Sequence, residues 1–112
     1  MANNKIIKNQ DKIVKVILEI VNTNKIYVFG SCARNEANND SDIDFYIVAN
    51  NKIISFNQMK EIIYQIRKTL VEKNLYTRMD ILVNDIEDFD NRKDVNGSIE
   101  SIVNKEGVLI YG

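Results

Sequence analysis

Apolar residues recur at helical spacing early in the chain: Ile13, Ile17 and Ile20, with Val14, Leu18 and Val21 one step round. Lys12, Lys15 and Glu19 fall largely on the other side, so the pattern predicts a helix packed on a sheet, starting at Asn9 or Asp11. Asn22-Thr23-Asn24 closes it, and Lys25 to Phe29 reads as a strand that Gly30-Ser31 breaks. The period then changes to two. From Asp42 to Val48, Ile43, Phe45 and Ile47 share one face of a strand and Asp42, Asp44 and Tyr46 the other. Ser55 with Gln58 three residues on is a capping-box signature. It opens the clearest helix, whose stripe is Met59, Ile62, Ile63, Ile66, Leu70 and Val71 and whose C-terminal cap is Asn74. A third strand spans Thr77 to Val83, with Met79, Ile81 and Val83 alternating against Arg78, Asp80 and Leu82. The acidic stretch 85–94 reads as a loop anchored by Ile86 and Phe89. A short helix from about Ser98, capped by Asn96 or Gly97, ends at Gly107, and Val108 to Tyr111 forms a terminal strand or tail.

These elements predict one domain over residues 1–112 of the α/β (α+β) class: a small mixed sheet with helices packed on one face and an acidic site on the other. If the strands pair with their apolar faces together, Asp80 joins Asp42 and Asp44 on one surface. Aspartate is disfavoured in strands and paired like charges repel, so three carboxylates there ask for a divalent cation.

Composition narrows the chemistry. A hydrophobic fraction of 45% and a charged fraction of 28% are ordinary for a globular domain. Net charge is −1, which does not favour a broad electrostatic grip on DNA or RNA. No apolar run approaches the ~18 residues of a membrane span, and Met1 to Gln10 has no signal-peptide core, so the expected location is the cytoplasm. There is no histidine, which removes Ser-His-Asp and Cys-His catalysis and the usual zinc motifs. Cys32 stands alone and cannot form an internal disulfide. Metal chemistry here must use carboxylate oxygens, favouring magnesium or manganese.

The order of the pieces carries the most information. Gly30-Ser31-x-Ala33-Arg34, then Glu36-Ala37, then Asp40-Ser41-Asp42-Ile43-Asp44 running into a hydrophobic strand, resembles the nucleotidyltransferase signature of the DNA polymerase β-like superfamily. The compact length is similar to that of its minimal nucleotidyltransferase (MNT) family. The family's GSxARG usually has glycine where this chain has Asn35, and Phe45 stands in place of the more usual leucine. Asparagine tolerates a left-handed backbone better than other non-glycine residues, so the turn can survive the change.

The resemblance implies a nucleotidyltransferase fold and a residue-by-residue division of labour. Gly30 and Ser31 would hold the β- and γ-phosphates of a nucleoside triphosphate, with Arg34 orienting a phosphate or pairing with Glu36, Asp40 or Asp42. Asp42 and Asp44 would coordinate magnesium, and Asp80 would complete the metal site near the acceptor hydroxyl, with two Mg2+ or Mn2+ ions in all. MNT proteins are typically antitoxins paired with a HEPN-type ribonuclease toxin. The implied activity is therefore transfer of AMP from ATP to a toxin tyrosine. The implied partners are ATP and the toxin, in a hetero-oligomer or with self-association. Two other functions fit the motif: an aminoglycoside-type nucleotidyltransferase with a small acceptor, and an antitoxin that acts by binding alone.

Overall fold

The computed structural model describes residues 5–30 and 42–112. Its elements run α1 (Gln10–Ile20), β1 (Thr23–Phe29), β2 (Ile43–Ala49), α2 (Phe56–Glu72), β3 (Met79–Asp85), α3 (Ile86–Arg92), α4 (Ile99–Glu106) and β4 (Val108–Tyr111). The four strands form one mixed sheet in the order β3-β2-β1-β4. β1 is antiparallel to both β2 and β4, whereas β2 and β3 are parallel and joined by α2.

One core lies between the sheet and the first two helices. Ile13, Val16 and Ile17 of α1 and Ile66 and Leu70 of α2 pack with Ile26, Val28, Phe45, Ile47, Ile81 and Val83. Local chemistry fixes the ends of α2. The Ser55 side chain accepts from the Gln58 N–H at 3.1 Å, while Gln58 Oε1 accepts from the Ile54 N–H at 2.8 Å. At the other end Asn74 adopts φ 58, Leu75 N–H reaches Leu70 O at 2.8 Å and Asn74 N–H reaches Val71 O at 3.0 Å. That pair of bonds is a Schellman motif, which stops the helix and turns the chain toward β3.

The mixed sheet is the one expected, but the helices do not all lie on one face. α3 and α4 cover part of the opposite face, where Tyr27, Phe29, Tyr46, Val48, Phe89 and Val103 make a second core. Tyr46 is therefore not part of an open acidic face. Its hydroxyl donates to Glu100 Oε2 of α4 at 2.7 Å, and its ring lies 5.4 Å from that of Phe89. The stretch expected to be a loop contains α3, because Asp85 ends β3 and caps the helix: its side chain accepts from the Asp88 N–H at 2.9 Å and from the Ile53 N–H at 3.0 Å. Ser98, rather than Asn96 or Gly97, caps α4 by accepting from the Ser101 N–H at 2.9 Å. No helix among the described residues is long and apolar enough to cross a membrane.

Candidate active site

The candidate site lies at one end of the second core's face of the sheet, where β1 finishes and β2 and β3 begin. Phe29 pairs with Asp44, and Asp44 is in register with Asp80 on the parallel strand next to it. The alternation of side chains puts both acids on the face that Tyr46 also uses. Asp80 is exposed and Asp44 half-buried. Like charges directly opposite one another destabilise a sheet, so this register is a cost that a cation would offset.

Gly30 closes the site on the β1 side. Its φ of 74 lies in the left-handed region, and a Cβ there would overlap the Asp44 carboxylate. Glycine is required on both counts, and the missing side chain lets the acid lie against the backbone. Asp42 stands at the mouth of β2, where Arg78 Nε binds its Oδ1 at 3.1 Å. Ile43 N–H also donates to Arg78 O at 3.0 Å, which ties the starts of β2 and β3 together.

The structure thus brings Asp44, Asp80 and Gly30 together and places Asp42 beside them on Arg78. Ser31 and Arg34, with Cys32, Asn35, Glu36 and Asp40, lie outside the described residues. Among the described residues no three His, Cys, Asp or Glu side chains are gathered as a metal-binding group. The donor set nevertheless suits a hard divalent cation, because Asp44 and Asp80 offer carboxylate oxygens from adjacent strands. Asp42 would add a third by leaving Arg78. Strand alternation puts Arg78 on the face of Asp80 but does not assign it Asp42 as a partner.

Tyr46 is excluded as an acid or base. Burial, and then its bond to Glu100, push its hydroxyl far above the ordinary tyrosine range, so it stays protonated. Asp85, at the far end of β3, is also structural. Burial alone would raise its carboxyl, but the N–H groups of Asp88 and Ile53 and the charge of Lys52 hold it below the usual range.

Comparison with known proteins decides the family. The model of the nucleotidyltransferase domain matches residues 7–108. The chain belongs to the nucleotidyltransferase-domain family. Nucleotidyl transfer is the activity of that family, and its members generally use divalent metal ions. No curated protein matches the chain in sequence. Among solved structures, a toxin–antitoxin crystallised with AMP-PNP aligns with a TM-score of 0.62 and 19% identity, covering 94% of this chain and 74% of that one. A tri-AMPylated Shewanella oneidensis HEPN toxin in complex with its MNT antitoxin aligns with a TM-score of 0.54 and 20% identity, over 93% of this nucleotidyltransferase and 70% of its counterpart. A putative nucleotidyltransferase from Sulfolobus solfataricus gives a TM-score of 0.54 at 24% identity, covering 97% and 89%. At these identities the likeness is one of fold.

Proposed function

We propose that this nucleotidyltransferase is an antitoxin that transfers AMP from ATP to a tyrosine hydroxyl of a cognate HEPN ribonuclease toxin. The observation that carries the reading is the in-register pair Asp44 and Asp80 beside Gly30, in a chain of this family. The likeness to toxin–antitoxin complexes, one with an ATP analogue and one with an AMPylated toxin, supports the choice of donor and partner.

In this reading Gly30, Ser31 and Arg34 take the triphosphate, the last two on the strength of the motif. Asp42, Asp44 and Asp80 would hold Mg2+ or Mn2+, which when bound neutralises charge on the attacking and leaving oxygens. Asp80 lies exposed on an edge strand, where an acceptor can approach, and helps remove the acceptor's proton. The tyrosine oxygen attacks the α-phosphorus in line. The bond from that phosphorus to its bridging oxygen breaks, and pyrophosphate leaves with the electron pair. A toxin carrying a phosphodiester-linked nucleotide remains, and its free ribose hydroxyls allow further rounds.

The Asp42→Ala/Asp44→Ala double variant tests the reading. It should still bind the toxin, transfer no label from ATP and fail to neutralise. Full neutralisation by that variant would favour inhibition by contact alone. Transfer to an aminoglycoside but not to the toxin would favour the small-acceptor enzyme.

A further inference from the structure

Next to Asp80 an open cleft of about 290 Å³ is lined by Asp42, Arg67, Tyr76, Arg78, Met79 and Asp80. Two arginines and two aspartates share this lining, and the cations are loosely engaged. Arg78 pairs with Asp42, but the two side chains are 65% and 43% exposed, so the pair is weak and readily exchanged. Arg67 reaches in from α2 and donates from Nη2 to Met79 O at 3.4 Å, near the limit for a hydrogen bond. Its Nε is buried without a hydrogen-bond partner among the described residues. A buried N–H on a charged group is costly when unpaired, so a native structure usually supplies it an acceptor. Arg67 makes no ion pair among the described residues. Planar guanidinium forks match phosphate oxygens, and the half-exposed ring of Tyr76 beside them offers a stacking face.

We infer that Arg67 and Arg78 form a phosphate-binding subsite beside Asp80 that takes the phosphate of a nucleotide, and that Arg78 leaves Asp42 to do so. The inference rests on the adenylyltransferase reading for its biological role. The exchange has a consequence for the acids: once Arg78 turns to the phosphate, Asp42 loses its ion pair with Arg78. The phosphate has two sources. It belongs either to the donor ATP or to an AMP already joined to the acceptor.

The direct test is isothermal titration of the full chain with 5′-AMP in EDTA, where no metal can bridge phosphate to the acids. AMP should bind more tightly than adenosine. Arg78→Gln and Arg67→Gln should each weaken AMP about tenfold, as expected for a lost charge-assisted hydrogen bond. Arg78→Lys should recover part of the affinity. Arg78 is exposed, so its variants report on the subsite even if Arg67→Gln fails to fold. No AMP binding in EDTA, or equal binding by wild type and Arg78→Gln, overturns the inference. Mass spectrometry of the toxin after reaction with ATP and Mg2+ separates the sources. If the phosphate is the donor's, Arg78→Gln raises KM for ATP at the first addition. If it is that of an attached AMP, Arg78→Gln slows later additions more than the first. A wild-type chain that transfers nothing to the toxin would defeat the adenylyltransferase reading while the EDTA titration still decides the subsite.

Discussion

Replacing Asp80 by asparagine should make the metal-free protein more stable, although it removes a residue proposed for catalysis. Asp80 and Asp44 are register partners on neighbouring parallel strands. Their backbones are therefore ~4.8 Å apart. Two unit charges at about 5 Å repel by ~0.8 kcal/mol in bulk water and by ~3 kcal/mol at an effective dielectric near 20. Asp80 is exposed, so the lower figure governs, and the Asp80→Asn variant should gain about 0.5–1 kcal/mol. For a domain of this size that raises Tm by roughly 2–5 °C. The assay is thermal unfolding by circular dichroism in EDTA at low ionic strength, with the gap narrowing in about 0.5 M salt. Saturating Mg2+ should reverse the order. A ligand at about 100 times its Kd stabilises the native state by ~2.7 kcal/mol, and the variant lacks part of that site. An Asp80→Asn protein that melts at or below wild type in EDTA would show that the two carboxylates are not a repulsive pair. A wild type unmoved by Mg2+ or Mn2+ would separate the acids from metal binding.

Gly30→Ala forces a left-handed φ on alanine, at a cost of about 1–2 kcal/mol, and drives a methyl into the Asp44 carboxylate. It should lower both Tm and the rate of nucleotide transfer, and normal transfer would show that Asp44 need not lie against this backbone. Asp85→Ala removes the cap of α3 and the acceptor for the Ile53 N–H, and should cost about 2 kcal/mol at neutral pH in urea unfolding. Because the folded carboxyl is held below its unfolded value of about 3.9, its contribution is complete above that pH and lost as pH falls through the folded pKa. The stability difference between Asp85→Ala and wild type should therefore shrink in strong acid, and a difference constant down to pH 2 would contradict it. Tyr46→Phe leaves the buried Glu100 carboxylate without its tyrosine donor and should cost about 1–3 kcal/mol. Equal stability of the two proteins would show that Glu100 finds another partner.

Strand alternation alone puts Asp44 and Asp80 on one face, because a period of two fixes which side chains share a face. The same rule misled at Tyr46. Alternation assigns a face but not what covers that face, and the covering helix α3 was hidden in a stretch whose acids read as a loop. Asp85 with Asp88 three residues on is a cap signature that outweighs that composition, since the carboxylate accepts N–H bonds from the first turn. Gln58 and Asn74 were readable for the opposite reason: capping and left-handed turn chemistry are local and need no tertiary information. The Arg78–Asp42 pair depends on how the starts of β2 and β3 align, so spacing alone could only place Arg78 on the right face.

Covalent transfer of nucleotide to the toxin is the decisive measurement. Wild-type protein is mixed with the HEPN toxin proposed as its partner, Mg2+ and ATP labelled at the α-phosphate, and the toxin is then analysed by peptide mass spectrometry and RNase assay. The expected result is label on a toxin tyrosine, loss of RNase activity in step with labelling, and neither with the Asp42→Ala/Asp44→Ala variant. A toxin neutralised without gaining label would contradict it.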